Sequence, residues 1–331
     1  MSSCLKVVIG LRSLQILINS ITQNDGDFMM NEEEIDIENK QSDILTSPVF
    51  IVGSGRSGTT WLQRLLVSNP QIAGGQESEF FLYFGACLRA VKHDDTAARK
   101  LGLPAYWNEP DLYESILDLW KKTFSSMLKM KPEATLLAEK TPAHAFYMDL
   151  IVKMLPDAKF IHIIRDSRAV VSSMIAAEKG WGKSWAPNSI KEASIIWWQS
   201  VNRVKKSGQQ ISSERYLEVH YEDLLVNTHY ELSRIYDYLN IDYDSEMLES
   251  IIEEQSIKKQ RAVGGTAFKD HNGNDLKEPD GFFRKGKADS WKQELNIYQK
   301  LVVWRYTRKL MRECGYDWSG RIKANKEQYD E

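Results

Sequence analysis

The chain has 331 residues, 42% of them hydrophobic, which is enough to bury one large core, so we expect a single domain. Its 43 basic and 46 acidic side chains give a net charge of -3, which argues against a nucleic-acid-binding protein that works through bulk positive charge. Three scattered cysteines are too few for a disulfide framework or a zinc site. We therefore expect a reducing compartment, a cytoplasmic location and no nucleic-acid partner.

The first 46 residues are expected to lie outside the folded domain. Residues 5–21 are apolar, but polar side chains interrupt them, so the stretch is too short and too polar for a membrane span. Residues 22–47 are polar and acidic without an apolar period and indicate a flexible linker. We expect a leader and linker over residues 1–46, a folded domain over 47–320 and a polar tail over 321–331.

Residues 48–62 predict a strand, a tight turn and the start of a helix. Residues 49–52 are β-branched or aromatic, and a Gly/Ser loop then leads into leucines at helical spacing. Gly53, Gly55 and Gly58 allow positive φ and close backbone approach. Because the first amides of a helix attract phosphate or sulfate, this turn is a candidate anion site.

Three nucleotide-binding patterns share this turn. Its glycines fit the G-x-G-x-x-G dinucleotide fingerprint, with Glu77 or Glu79 at a suitable distance to hold a ribose. The same turn begins a Walker A loop, but Thr59 stands where that loop has its lysine. The third pattern is the run Arg56-Ser57-Gly58-Thr59-Thr60-Trp61, in which an arginine stands beside small residues at a helix start.

Downstream, hydrophobic periods predict alternating strands and helices. Strands, some with their turns, are predicted over residues 135–142, 159–164 and 216–224, a short strand or turn over 71–81, and helices over 112–128, 146–154, 190–204, 230–239 and 291–311, with a further helix starting at 169. This alternation implies an α/β fold, a P-loop-like doubly wound sheet with central parallel strands flanked by helices. Residues 258–286 lack a period and indicate a long loop, a candidate lid.

Charged side chains fall where predicted strands end. Arg56 follows the first strand, Lys140 ends a later one, and Arg165 ends the apolar run 159–164. In a doubly wound sheet ligands lie at these carboxyl ends, so the charges should converge on one crevice. Lys140, an ammonium at the tip of an apolar strand, should have an anionic partner. His162 lies inside a strand and is predicted to be a core histidine.

Five blocks in order resemble the sulfotransferase family that uses 3′-phosphoadenosine 5′-phosphosulfate (PAPS). The resemblance covers residues 48–317 and includes Arg where cytosolic members have Lys in the first block. By this resemblance, Arg56, Ser57, Gly58, Thr59, Thr60 and Trp61 form the 5′-phosphosulfate loop, Arg165 and Ser173 hold the 3′-phosphate, Tyr221 contacts the nucleotide, Thr266 and Phe268 lie at the adenine, and Arg284, Lys285 and Gly286 cover the 3′-phosphate.

The resemblance implies transfer of the sulfuryl group of PAPS to an acceptor hydroxyl or amine, with release of 3′-phosphoadenosine 5′-phosphate (PAP) and no required metal. Two anion sites at two strand ends suit a donor that is charged at both ends. A P-loop nucleotide kinase, which would show the metal-holding Walker residues, and a non-catalytic nucleotide-binding protein are the alternatives.

The resemblance also implies catalytic residues. Cytosolic members place a histidine after a Lys-Thr pair, but Pro142 stands at that place here. The segment Gly75-Gln76-Glu77-Ser78 is similar to one in the tyrosylprotein branch, which puts Glu77 at the position of the general base. Lys140 and Arg56 would then stabilise the leaving oxygen, and His144 is the alternative base.

The acceptor stays open among a carbohydrate, a lipid, a small molecule and a peptide tyrosine. Residues 85–109 and 180–188 are predicted to line the acceptor side, and Trp181 and Trp185 in the second segment could stack on a sugar or a phenol. Core packing is the competing explanation for these two tryptophans. The sequence is compatible with a monomer and with a homodimer.

Overall fold

The computed structural model has a central sheet of five strands. It describes residues 40–91, 106–256, 258–260, 268–269, 273–284 and 286–322. The strands are β1 (Val49–Gly53), β2 (Ile72–Gly74), β3 (Leu136–Glu139), β4 (Lys159–Ile164) and β5 (Tyr216–His220). They lie in the order β2-β3-β1-β4-β5, and every neighbouring pair is parallel.

Helices connect these strands and cover the sheet. They are α1 (residues 40–46), α2 (Thr59–Val67), α3 (Phe80–Val91), α4 (Glu109–Met130), α5 (Met148–Met154), α6 (Ser167–Glu178), α7 (Ile190–Gly208), α8 (Tyr221–Val226), α9 (Thr228–Leu239), α10 (Ser245–Glu254), α11 (Trp291–Glu294) and α12 (Ile297–Glu313). Two-residue strands β6 (Phe268–Lys269) and β7 (Asp275–Leu276) pair antiparallel apart from the main sheet. The predicted doubly wound α/β sheet is confirmed.

The central strand β1 is buried along its whole length. Phe50 and Val52 belong to a core cluster on one face of the sheet, whereas Val49 and Ile51 belong to a cluster on the other. Successive side chains of a strand point to opposite faces, so an all-apolar strand is what a sheet covered on both sides requires.

The strand order positions a site. Strand β1 pairs with β3 on one side and β4 on the other, so the connection from β3 to β4 crosses β1. The carboxyl ends of these three strands therefore meet at the point where the strand order reverses. Ligands of open α/β sheets bind in the crevice at such a point.

The fold begins earlier in the chain than expected. Residues 40–46, assigned from the sequence to the flexible linker, form helix α1, and Leu45 is buried in the core. The indole of Trp120 donates to the backbone oxygen of Leu45 at 2.8 Å. Burial of a few apolar residues thus orders a stretch that is otherwise polar.

The second half of the chain contains two further differences. Helix α10 was not predicted, although Asp244 caps it and Leu248 and Ile251 bury its apolar face. The predicted closing helix over 291–311 consists of α11 and α12, because Leu295 is extended and Asn296 starts α12 with a capping box.

Parts of the predicted organisation fall outside the described residues. These include residues 1–39 of the leader and linker, most of the polar tail and part of the loop over 258–286. Within the described chain, no helix combines the length and the apolar character needed to cross a membrane.

Candidate active site

The turn between β1 and α2 places a helix N-terminus at the carboxyl edge of the sheet. Gly58 is the N-cap residue with a φ of 100°, and no side chain caps the helix. A Cβ at this position would lie 2.5 Å from Cδ2 of Tyr221, so only glycine fits without movement. The first amides of α2 thus remain available to an anion.

The positive φ angles of this turn differ in one place from the prediction. Gly53 and Gly58 have positive φ as predicted, but the third such residue is Arg56, with a φ of 71°, and not Gly55. The Arg56 side chain is anchored, since Nε donates to Ser173 Oγ at 3.2 Å and Nη2 donates to the Phe282 backbone oxygen at 2.7 Å. These contacts compensate for a backbone conformation that is unusual for arginine.

Three arginines meet beyond the ends of β1 and β4. Burial, together with the positive charges of Arg165 and Arg284, lowers the pKa of Arg56 to about 10. The Arg165 guanidinium lies 4.0 Å from the centroid of the Tyr221 ring and donates to the backbone oxygen of Arg56 at 3.3 Å. Of the three cations predicted to converge on one crevice, Arg56 and Arg165 line it and Lys140 does not.

We call the space between these arginines the anion pocket, and its volume is about 90 Å³. Its walls comprise Arg56, Gly58, Thr59, Thr60, Trp61, Arg165, Ala169, Ser173, Tyr221, Phe282, Phe283, Arg284, Gly286, Lys287 and Ser290. Most of the residues predicted from the sequence to bind the nucleotide are therefore brought together here.

Donors that lack acceptors lie in the anion pocket and in the turn beside it. Arg284 pairs with Glu294 at 2.5 Å, but the hydrogen bonds of Arg56 and Arg165 to described residues reach only hydroxyl and backbone oxygens. Ser57 Oγ and Arg165 Nε are buried and have no hydrogen-bond partner within the described part of the chain. Since buried polar atoms are normally paired, these donors indicate a site built for an anion.

Four predicted nucleotide-binding residues are not placed in the anion pocket. Ser57 is completely buried and is not part of the pocket wall. Phe268 is buried in the β6–β7 ladder and is not part of the pocket wall. Thr266 and Lys285 lie outside the described residues.

A second space of about 680 Å³, the large cavity, adjoins the anion pocket, and Arg56, Thr59 and Thr60 line both. Glu77, Glu79 and Thr141 contribute to its wall. The predicted loop over 180–188 lines it with Trp181, Ser184, Trp185 and Pro187. Of the predicted segment 85–109, residues 92–105 lie outside the described residues, and none of the others lines the cavity.

Glu77 and Lys140 form an ion pair at the junction of the two spaces, with 2.6 Å between Oε1 and Nζ. The Lys140 side chain is 2% exposed, whereas that of Glu77 is 39% exposed and faces the large cavity. Lys140 also donates to Thr60 Oγ1 at 3.2 Å. The anionic partner predicted for Lys140 is therefore Glu77.

His144 is not brought to either space. Its ring is completely buried, and its Nε2 accepts from the backbone N–H of Phe81 at 3.2 Å. Its Nδ1, which must then carry the proton, donates to Glu139 Oε2 at 2.8 Å. With both nitrogens engaged in the core, His144 has no route to an acceptor. This geometry argues against the assignment of His144 as the alternative base, which stays a prediction.

The comparisons with known proteins agree with this geometry. The model of a sulfotransferase family matches residues 48–245, which is more than half of the chain. The chain belongs to the sulfotransferase family.

Curated relatives of this sulfotransferase are about one quarter identical to it. The omega-hydroxy-beta-dihydromenaquinone-9 sulfotransferase Stf3 of Mycobacterium bovis is 27% identical over 248 residues, covering 60% of this chain and 64% of that protein. A putative protein-tyrosine sulfotransferase of Caenorhabditis briggsae is 26% identical over 202 residues, covering 60% of this chain and 68% of that protein. The match thus spans about two thirds of the length of each relative.

Solved structures with the same fold are also sulfotransferases. Mouse sulfotransferase SULT7A1 in complex with PAP superposes with a TM-score of 0.53 at 16% identity, covering 88% of this chain and 94% of that chain. The sulfotransferase domain from the curacin biosynthetic pathway gives a TM-score of 0.52 at 19% identity, covering 80% and 97%. At these identities the likeness establishes the fold, including its P-loop-like sheet.

Two positioning residues of this sulfotransferase were not found from the sequence. Glu139 accepts from Ser78 Oγ and Thr141 Oγ1, both at 2.7 Å, in addition to His144. Burial alone would raise the pKa of Glu139, but the interaction with His144 and the hydroxyl bonds outweigh burial and lower it. Glu139 therefore stays ionised and fixes the segment that carries Glu77. The sequence feature that could have revealed Glu139 is a carboxylate inside a buried strand, because such a group needs hydrogen-bond partners.

The second is Glu278, which pairs with Arg64 of α2 at 3.3 Å. Arg64 is completely buried and lies 4.6 Å from the centroid of the Phe283 ring. The pair therefore holds residues 278–283 over the anion pocket. An arginine in the middle of the apolar face of α2 could have indicated a buried ion pair. Its partner could not be identified, because Glu278 lies 214 residues away in the sequence.

Proposed function

We propose that this sulfotransferase transfers the sulfuryl group of PAPS to an acceptor hydroxyl, or an amine, and releases PAP. The observation that carries this proposal is the shared wall of Arg56, Thr59 and Thr60, which joins the anion pocket to a cavity containing a carboxylate. A donor bound at that wall would present its sulfuryl group to the large cavity. The complex of the mouse neighbour with PAP supports this donor class.

The residues present fit the charged ends of the donor. Ser57 Oγ and the first amides of α2 are suited to the 5′-phosphosulfate, while Arg165 and Ser173 are suited to the 3′-phosphate. The anion pocket has room for a phosphate group but not for a whole nucleotide. Residues 282–284 and 286–287 form part of its wall, and we therefore expect them to move outward when the nucleotide enters.

In the proposed reaction, Glu77 takes the proton of the acceptor hydroxyl while that oxygen forms a bond to sulfur. The bond between sulfur and the bridging oxygen breaks, and the electron pair stays on the 5′-phosphate of PAP. Lys140 and Arg56 stabilise this developing charge. Lys140 can do so because its ammonium contacts both Glu77 and Thr60. General base catalysis contributes about 10²–10⁴-fold.

The same arrangement disfavours a P-loop kinase. Thr59 lines the anion pocket at the position where a Walker A loop has lysine. We propose that Arg56, Lys140 and Arg165 neutralise the donor, so that no metal ion is required. Acceptors are expected to bear a hydroxyl, as the name of the Stf3 relative states for its own substrate.

Calorimetric titration with PAP tests the donor site. Arg165→Ala removes charge-assisted hydrogen bonds and should weaken PAP binding by about 10²-fold, since each such bond contributes roughly 1.5–3 kcal/mol. Arg203→Ala is the matched control, because Arg203 pairs with Asp149 on the surface at 3.5 Å and should bind PAP like the wild type. Tight NAD binding, or ATP binding that needs Mg²⁺, in place of PAP binding would refute the proposal.

A further inference from the structure

One wall of the large cavity is aromatic. The rings of Trp181 and Trp185 lie 5.3 Å apart, and the ring of Phe282 lies 5.1 Å from that of Trp181. Trp185 is 46% exposed although it is large and apolar, and it lines the cavity. The Arg56 guanidinium lies over the rings of Trp181 and Phe282, so Trp185 supplies the exposed aromatic face. An exposed aromatic face beside a cavity is suited to stacking on a planar or pyranose ring. A ring-free chain would leave this face only partly covered.

The wall of the large cavity also contains three carboxylates, Glu77, Glu79 and Glu278. Glu77 is engaged by Lys140, and Glu278 by Arg64. Glu79 accepts a hydrogen bond from the Tyr83 hydroxyl at 3.0 Å and pairs with no cation among the described residues. One carboxylate of the cavity therefore keeps an uncompensated negative charge.

The described wall of the large cavity contains little positive charge. Arg56 is the one cation among the described residues of the cavity wall, and its side-chain hydrogen bonds to Ser173 and Phe282 hold it at the anion pocket. A bound donor would add further negative charge at the same boundary. An anionic acceptor would consequently meet like charges and, among the described residues of the cavity wall, no free counter-ion.

We propose that the acceptor of this enzyme carries a ring and no negative charge, and that Glu79 and the Trp181–Trp185 wall set this specificity. The inference rests on the proposed sulfuryl transfer and deepens it. A neutral or cationic ring compound with a hydroxyl stacks on the aromatic wall and directs its polar groups to Glu79. An acidic peptide or a polyanionic carbohydrate is disfavoured by the same carboxylate.

Two matched acceptor sets separate ring type from charge. The phenol set is tyramine, 4-methylphenol and 4-hydroxyphenylacetate, and the pyranose set is glucosamine, glucose and glucuronate. In each set the ring is constant while the charge changes from positive through neutral to negative. The linear alcohol 1-octanol is the ring-free probe, and transfer of label from PAPS gives kcat/KM for each compound.

We expect the anionic member of the preferred set to have a kcat/KM at least about tenfold below the neutral one, which corresponds to about 1.4 kcal/mol. Glu79→Gln should reduce this ratio to less than about threefold, mainly by improving KM for the anion. Glu249→Gln, an exposed carboxylate on α10, should leave the ratio unchanged. Trp185→Ala should raise KM for ring acceptors, and Trp185→Phe should restore most of the loss.

The outcomes distinguish this inference from the proposed function. Equal or better use of the anionic members, or preference for 1-octanol over both sets, overturns the inference while sulfuryl transfer itself stands. PAP binding without transfer to any of these compounds overturns it as well. Absence of both PAP binding and transfer refutes the proposed function instead.

Discussion

Two neighbouring side chains at the end of β3 have different tasks. Glu139 turns into the core and accepts hydrogen bonds from Ser78, Thr141 and His144. Lys140, the next residue, reaches Glu77 and Thr60 at the cavity. Because successive residues of a strand point in opposite directions, a single strand end can supply both the carboxylate that supports the Glu77 segment and the cation that pairs with Glu77. This explains why Glu77 has a defined position although it lies in a loop.

The assignment of the base can be tested with Glu77→Gln. The amide cannot take the acceptor proton, so we expect kcat to fall by about 10²–10⁴-fold at saturating PAPS. PAP affinity, measured by calorimetry, should stay within about threefold, because the anion pocket is built from other residues. The exposed Glu249→Gln variant is the control for loss of a carboxylate as such.

We expect His144→Ala to lower stability while leaving turnover almost unchanged. Loss of the imidazole leaves buried Glu139 short of one hydrogen bond, which should cost about 1–3 kcal/mol of unfolding free energy. Turnover per folded molecule should remain near that of the wild type. The assignment is reversed if Glu77→Gln keeps full turnover while folded His144→Ala loses it.

Residue types and spacing were sufficient to find Arg56 and Arg165 from the sequence, because each follows a predicted strand, whereas Ser173 and Tyr221 were predicted only through the family resemblance. The same information could not separate Glu77 from His144, since both lie a few residues from a predicted strand end. The structure distinguishes them by burial, because the His144 side chain is completely buried whereas that of Glu77 is partly exposed. The Arg64–Glu278 pair was out of reach, because pairing across 214 residues leaves no local pattern.

At the scale of elements, the strand-turn-helix around Gly58 depends on the absence of a side chain. Gly58→Ala would force an alanine to a φ of 100° and place its Cβ 2.5 Å from Tyr221. We expect a loss of more than about 1 kcal/mol in unfolding free energy and at least a tenfold loss of PAP affinity. Urea unfolding and calorimetry measure the two effects.

Gly273→Ala is the matched control for Gly58→Ala. Gly273 also has positive φ, at 84°, but nothing lies within 4 Å of a Cβ built there. It should show the cost of backbone strain, about 1 kcal/mol, without loss of PAP affinity. If both variants bind PAP like the wild type, the packing of Gly58 against Tyr221 does not shape the donor site.

Strands and helices could be predicted from the sequence where one hydrophobic pattern continued without interruption. The buried strands β1 and β4 are continuous apolar runs, and α4 shows a clear amphipathic stripe that includes Trp120 and Phe124. Helix α1 is short and mostly polar, so its order depends on the core into which Leu45 packs. The break between α11 and α12 depends on Asn296, whose side chain caps α12.

At the scale of the whole molecule, residues 317 and 318 contact helix α6, two of whose residues, Ala169 and Ser173, line the anion pocket. Arg168 of α6 pairs with Asp166 at 2.7 Å and donates to the backbone oxygens of Trp318 and Asp317 at 2.6 and 2.8 Å. Its guanidinium also lies 3.8 Å from the centroid of the Trp291 ring. This cluster begins immediately after Arg165.

The cytoplasmic location and the oligomeric state remain predictions from the sequence.

Arg168→Ala tests this long-range support. The substitution leaves buried Asp166 without its cation and removes donors from two carbonyls, so we expect a loss of about 3–5 kcal/mol in unfolding free energy. The surface variant Arg203→Ala should stay within about 0.5 kcal/mol of the wild type. Urea unfolding of both variants at equal protein concentration gives the comparison. Equal stability of the two variants would mean that the contacts of Arg168 with residues 317 and 318 do not stabilise α6. The position of Arg165 at the end of its strand would then depend on β4 and on α7, whose Trp197 donates to the Arg165 backbone oxygen.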